Sequence, residues 1–416
     1  MQRLDRGMSV HYFGRTTAVA DFKLDQALGL ERAPIRTRAK AVADIAARHA
    51  VEVDAQGRYP VEAMTALKET GLIGAMVPTA FGGEGASVSD MAEVCYILGG
   101  ACASTAMIYA MHQIKVACIV RHCADSPWHQ DFLRRVARDQ LLCASSTTEG
   151  QGGGDVRASA AAVGRDGQRI GLERAATVMS YGLEADAIVT TARRADDASS
   201  TDQVLVVFEK ADYTLTPTLS WETLGMRGTR SAGFAMKAEG TLAQIVPTPY
   251  AAIHTQSMTP TAHLLWSAAW AGNAAAAVET ARLFTRKAAR GAGGELPPGA
   301  QHLTRAASSL RALRALVQAS LARFEAIADD PAALKANDFQ TAITLLKVDA
   351  SEMAVQTVMS AMRACGLSGY RNDGDFSLGR RLRDVLSAPI MINNDRILAN
   401  AGPSALLTET PTSLFA

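Results

Sequence analysis

Two glycine-bearing stretches hold the residue types that site chemistry needs. Thr147-Thr148-Glu149-Gly150-Gln151-Gly152-Gly153-Gly154-Asp155 sets four glycines among side chains able to hydrogen-bond a polar heterocycle, and glycine lets backbone N–H groups come close to a ligand. A dinucleotide-binding loop needs a strand before it and a helix after it; Val156 to Val163 leads into strand-like sequence instead, which excludes that fingerprint. The plain alternative is a flexible surface hairpin. The second stretch, Gly366-Leu367-Ser368-Gly369-Tyr370, ends a long helical segment and is followed by Arg380, Arg381, Arg383 and Asp384. Taken alone it is equally a helix cap beside a solvated basic face. The eight histidines show no metal-ligand spacing, so no metal site is expected, and His112 in an apolar helix reads as a satisfied core residue. No GxSxG elbow occurs. The six cysteines, Cys95, Cys102, Cys118, Cys123, Cys143 and Cys365, include no CxxC pair and read as reduced, buried thiols.

These residues need elements to hold them. From Ile35 to Ala50 apolar side chains recur at three- and four-residue steps, and Pro60 opens a second helix that Gly71 can close. Ser87 and Asp90 can cap a third. Thr105 to His122 is apolar nearly all round and should lie deep in the fold. Between Leu141 and Thr248 glycine, threonine and β-branched residues dominate, with Ile188 to Thr191 and Val204 to Phe208 as strands, so a compact β domain is expected. Thr261 to Arg290, Gln301 to Ala328 and Leu334 to Cys365 return to helical periodicity and imply an antiparallel bundle. Helices, then strands, then helices give an α+β chain rather than alternating parallel units. Lys plus Arg number 42 against 41 Asp plus Glu in 416 residues, for a net charge of +1 without single-sign runs; nucleic acid is not expected as a partner. The first 30 residues lack the hydrophobic core of a signal peptide, and no apolar run reaches the roughly 18 residues of a membrane span, so a cytoplasmic location without membrane attachment is expected.

In this order the segments resemble the acyl-CoA dehydrogenase superfamily from about residue 35 to about residue 400. The resemblance rests on Gly71-Leu72-Ile73-Gly74 through Phe81-Gly82-Gly83-Glu84-Gly85; on Thr148-Glu149 with Gly153 and Asp155, similar to the family's flavin strand; on Leu224 to Ser231; on Lys347 to Ala354 with Cys365 to Tyr370; and on Arg381-Leu382-Arg383-Asp384. It implies an N-terminal extension (1–33), an N-terminal α-helical domain (34–140), a middle β-barrel-like domain (141–250) and a C-terminal four-helix bundle (251–416). It also implies FAD, a dimer or tetramer of identical chains, and an electron-transfer flavoprotein or oxygen as electron acceptor. Carried over by position, Thr147, Thr148, Gly153 and Gly154 would hold the flavin, Ser180 would face its N5, and Asn394 would lie in the same site. Arg286, Gln301, Arg363, Gly366 and Gly369 would reach the phosphates and adenosine half across a subunit boundary.

The departures bear on function. The family's proton-accepting glutamate corresponds to Ile392, which cannot accept a proton. Its alternative position, near Leu265, is equally inert. The arginine often found in that helix is replaced by Trp266, and the tryptophan beside the flavin by Val178. Asp395 is the nearest carboxylate and the candidate substitute base, unless it merely caps a turn. Three functions follow: α,β-dehydrogenation of an acyl thioester carried by CoA or a carrier protein, a flavin-dependent monooxygenase or oxidase, and a non-catalytic partner subunit of a flavoprotein.

Overall fold

The computed structural model describes residues 33–149, 157–407 and 412–413; the glycines from Gly150 to Gly154 therefore lie outside the described residues. Five α-helices come first: α1 (Ile35–Gln56), α2 (Val61–Glu69), α3 (Val88–Ala101), α4 (Ala103–His122) and α5 (Pro127–Asp139). The face of α1 that reads as apolar in sequence is the buried one, through Ala39, Val42, Ala46, Ala50 and Val53. Ser87 and Asp90 close α3 with a reciprocal box, in which Ser87 Oγ accepts the Asp90 N–H and the Asp90 carboxylate accepts the Ser87 N–H. Helix α4 is long and apolar enough to cross a membrane by composition, yet 89% of its most apolar 18-residue window is buried inside the fold, as a core helix is.

The middle region forms two sheets. Strands β1 (Cys143–Ser146), β2 (Gly164–Asp166), β3 (Arg169–Met179), β4 (Ala187–Arg193), β5 (Gln203–Glu209), β6 (Tyr213–Leu219) and β7 (Ala232–Thr241) pair in the orders β1-β4-β5 and β2-β3-β7-β6. β1 runs parallel to β4, and the remaining pairs are antiparallel. A register shift between Ala176 and Met179 interrupts the β3–β7 ladder just before Ser180, and such a bulge re-aims the side chains that follow it.

The chain then returns to helix. The short α6 (Tyr250–Ile253) passes through a π-helical turn (His254–Met258) into α7 (Thr259–Gly291), which is followed by α8 (Ala300–Ile327) and α9 (Pro331–Lys335). Next come α10 (Asn337–Cys365), α11 (Leu367–Tyr370), α12 (Gly379–Val385) and α13 (Asn394–Leu407). The helix expected over Leu334 to Cys365 is thus broken at Ala336, whose extended backbone (ψ 134°) separates α9 from α10. Helix α3 crosses α7 at backbone contact. A Cβ on Gly99 would stand 2.2 Å from the Ala269 carbonyl oxygen and one on Gly272 would stand 2.0 Å from that of Tyr96, so only glycine admits this crossing.

Several motif residues turn out to be joints between these layers. The buried Asp384 carboxylate accepts the Met226 N–H at 2.8 Å, Gly225 abuts the Arg383 carbonyl, and Arg383 pairs with Asp54 of α1. The Leu224–Ser231 segment and the Arg-Asp motif thereby tie the β domain, α12 and the first helix together.

Candidate active site

One cavity of about 520 Å³ opens where the β sheets, α4, the π-helical turn and the terminal helices meet. Three walls differ in chemistry. Strand β1 and the residues just after β1 and β3 contribute hydroxyls from Ser145, Thr147, Thr148 and Ser180, with Val178 of β3 beside them. Helix α4 contributes Met111, Ile114 and Lys115. Helix α7 contributes Thr259, His263 and Trp266, the turn before α13 contributes Met391 and Ile392, and α13 contributes Arg396 and Ile397. The π-helical turn, a geometry enriched at functional sites, presents His254, Thr255 and Met258.

The hydroxyl wall has a defined polarity. Thr229 Oγ1 donates to the Met226 carbonyl at 2.8 Å and lies 2.7 Å from Ser231 Oγ, which lies 2.7 Å from Ser180 Oγ. A hydroxyl has one proton. With the far end fixed on a carbonyl, Ser231 donates to Thr229 and Ser180 donates to Ser231. Ser180 therefore turns a lone pair toward the cavity and not a proton.

Carboxylates are absent from the wall: among the described residues lining the cavity there is no Asp or Glu. Glu149 follows Thr148 but is engaged elsewhere, pairing with buried Arg174 at 3.1 Å and accepting the Ala160 and Ala161 N–H groups. Asp395 is exposed on the first turn of α13 and does not line the cavity. Ile392 does, and it does so with φ at 55°, a left-handed conformation unfavourable for a β-branched side chain.

The structure divides the remaining candidate residues. Thr147, Thr148 and Ser180 share the cavity with Val178 and Trp266, whereas Leu265 is buried in the core. Asn394 is buried beneath the cavity loop: its Oδ1 accepts from Lys347 Nζ at 2.6 Å, and its Nδ2 donates to Ser351 and Glu352. It anchors that loop and is absent from the cavity lining. Arg286, Gln301, Arg363 and Gly366 are exposed, away from the cavity. Gly369 is buried close against Cys365, where a Cβ would stand 2.7 Å from the Cys365 Cβ. Gly153 and Gly154 lie among the residues not described, between Thr148 and Arg157, both of which line the cavity.

Lys115 is the site residue that the sequence pattern hid, because a single lysine does not disturb the apolar character of α4. Its side chain is 2% exposed, and its amine donates to the Met258 thioether at 3.1 Å. Burial pushes this amine down to about 8. His263 is buried too, with Nδ1 at 2.9 Å from the Ile343 carbonyl, and burial holds its pKa near 4, so it is neutral at pH 7. Trp266 Nε1 is buried without a hydrogen-bond partner.

An isoalloxazine ring fits this site by volume, since ligand pockets span about 300–1,000 Å³. It also fits by polarity, because the wall offers the Thr147 and Thr148 hydroxyls and an acceptor at Ser180.

Comparison with known proteins gives a consistent placement. Family sequence models match residues 31–140 (acyl-CoA dehydrogenase, N-terminal domain) and 256–400 (acyl-CoA dehydrogenase, C-terminal domain). The chain is 28% identical over 289 residues to cyclohex-1-ene-1-carbonyl-CoA dehydrogenase of Geobacter metallireducens, covering 60% of this chain and 76% of that protein. FMN-bound TdsC from Paenibacillus sp. A11-2 superposes with a TM-score of 0.79 at 18% identity, covering 92% of this chain and all of that one. Butyryl-CoA dehydrogenase from Megasphaera elsdenii superposes with a TM-score of 0.73 at 16% identity, covering 91% of this chain and all of that one.

Proposed function

The chain belongs to the acyl-CoA dehydrogenase superfamily, and on that premise we propose that it is a flavin-dependent oxidoreductase that turns over a small molecule in this cavity, activating oxygen on the reduced cofactor. The observation that carries this reading is the absence of Asp and Glu from the described cavity wall. Abstracting an α-proton from an acyl thioester requires a positioned acceptor within hydrogen-bond reach. Ile392 stands where that acceptor is expected, and Asp395 points elsewhere. Oxygen activation needs no such group.

A bound flavin supplies the electron-transfer chemistry. The chain's residues grip, orient and enclose. Thr147 and Thr148 offer hydroxyls to a heterocycle edge, and Ser180 accepts from an N–H donor. Trp266 offers its indole N–H and an apolar face, while Met111, Ile114, Met258 and Ile392 keep water from the far side. FAD is the expected form, in a homo-oligomer whose neighbouring chain supplies Arg286, Gln301, Arg363 and the Gly366 turn for the adenosine half. FMN would need none of these residues.

A second reading, α,β-dehydrogenation of an acyl thioester with an electron-transfer flavoprotein as acceptor, draws on the similarity to a curated acyl-CoA dehydrogenase over 60% of the chain. The deciding experiment reconstitutes the protein with FAD and separately with FMN, then records the flavin spectrum during anaerobic titration with acyl-CoA thioesters. Oxygen uptake with externally reduced flavin is measured in parallel. The oxygenase reading expects oxygen uptake and an unchanged anaerobic spectrum; bleaching by a thioester overturns it. Retention of neither flavin would indicate a non-catalytic partner subunit. Asp395→Asn is expected to leave both readouts unchanged.

A further inference from the structure

The α4 wall of the cavity differs from the hydroxyl wall opposite. Met111 and Ile114 make it apolar, and Lys115 adds a single ammonium-forming group. That amine is almost completely buried, and it donates to a thioether, which is a weak acceptor. Its electrostatic neighbours are Cys118, Arg174 and Cys143, none a carboxylate. A buried amine without an oxygen partner is costly for the folded chain, and this one lines a cavity whose described wall has no acid to pair with it.

We propose that Lys115 recognises an anionic oxygen, a carboxylate or phenolate-type oxyanion, on an otherwise apolar small-molecule substrate. The proposal rests on the reading of this cavity as the substrate site and narrows the substrate to a small organic anion. The apolar body lies against Met111 and Ile114, and the oxyanion completes the hydrogen bonding that Met258 cannot. A charge-assisted bond in a desolvated site favours the anion over its neutral isostere by about tenfold or more.

Proton linkage gives a second signature. The groups that act on the amine are Cys118 on its own helix, Cys143 on β1 and Arg174 on β3, and Arg157, Tyr250, His254, His263 and Arg396 line the same cavity. Burial raises both thiols above their usual range and lowers Arg174. Lys115, driven down to about 8, is the group that takes up a proton when an anion binds at pH 8.

Isothermal titration calorimetry with benzoate and its neutral isostere benzamide tests the proposal, on flavin-free and flavin-loaded protein. Wild type is expected to bind benzoate about tenfold more tightly than benzamide and to take up a fraction of a proton at pH 8, read from buffers of different ionisation enthalpy. Lys115→Met should lose the preference with its circular dichroism and flavin content unchanged, and Lys115→Arg should keep it. Equal affinity for the two probes, binding of neither, or a preference that survives in Lys115→Met overturns the proposal. Loss of flavin by Lys115→Met with the preference intact also overturns it, by assigning the amine to the cofactor. Should Lys115→Met fail to fold, proton uptake by the wild type decides. Failure of the flavin reading shows separately, as absence of a flavin spectrum, while the calorimetry proceeds on the flavin-free chain.

Discussion

One turn of α4 separates two buried basic side chains in opposite circumstances. His112 faces the interior behind the helix, where its Nε2 lies 2.9 Å from the Ile73 carbonyl and its Nδ1 accepts the Cys143 N–H at 3.0 Å. Both ring nitrogens are used, and the tautomer is fixed with the proton on Nε2. The nearby Arg38, 4% exposed, is likewise satisfied by the Thr70 carbonyl and the Glu84 carboxylate. Lys115 faces the cavity and has only sulfur. Of the groups lining the cavity, Lys115 has only the Met258 thioether and Trp266 Nε1 has no hydrogen-bond partner, whereas His112 and Arg38 bond oxygen or backbone nitrogen groups of the fold.

The sharpest way to break this comparison is to unpair the satisfied side. Glu84→Ala strands the buried Arg38 guanidinium and is expected to cost about 3–5 kcal/mol, read from urea unfolding; a loss under about 1 kcal/mol would show that this interior tolerates an orphan charge. Lys115→Met acts with the opposite sign. The folded-state pKa of Lys115, about 8, lies below the ordinary 10.5, so the unfolded chain binds more protons between those values and stability rises with pH across that window. The penalty is fully present below pH 8. Lys115→Met should therefore gain about 3 kcal/mol at pH 7, fading toward zero by pH 10.5, in paired unfolding curves. A variant no more stable than wild type at pH 7 would mean that the amine has a partner after all.

His112→Leu follows in size. It orphans the Cys143 N–H, while the Ile73 carbonyl keeps Gln113, for a loss of about 2 kcal/mol. The wild-type ring carries its own pH signature: burial lowers His112 to about 4, so its contribution is intact above the usual 6.5 and is lost as pH falls from 6.5 toward 4. His122, His129 and His263 are shifted the same way. Denaturation midpoints should thus drop steeply over that range, and His112→Leu should make the drop shallower.

What was legible in the sequence was local. The Ser87–Asp90 cap, the α1 face and the β-branched runs of β4 and β5 each declare themselves within a few residues. β3 escaped because its buried positions are Ile170, Leu172, Arg174, Ala176 and Met179, where an arginine and an alanine blur the alternation. The π-helical turn has no local signature, since its stretch, His254 to Met258, reads as ordinary helix. The Arg383–Asp384 motif was recognisable, yet its work, holding Met226 and Asp54 across layers, depends on contacts far apart in sequence. The same limit hid Lys115: its meaning lies in which neighbours it lacks, and only the fold supplies that list.

The smallest expected effect tests whether the cavity's other edge is also held against local preference. Ile392 and Asn393 sit at φ 55° and 30°, and the next residue, Asn394, is fastened by Lys347 and Ser351. Strained backbone persists where its surroundings over-determine it. Placing a β-branched residue in the left-handed region costs about 1–2 kcal/mol, which glycine avoids, while the half-buried Ile392 side chain returns part of that through apolar contact with the cavity. Ile392→Gly should therefore raise stability by somewhat less than about 1 kcal/mol, a shift of a few degrees or less in Tm. Asn394→Ala, which unfastens the loop and leaves Lys347 without its amide partner, should lower it. If Ile392→Gly is instead destabilising, side-chain packing and not backbone strain dominates this edge, and the cavity is bounded here by a settled apolar wall.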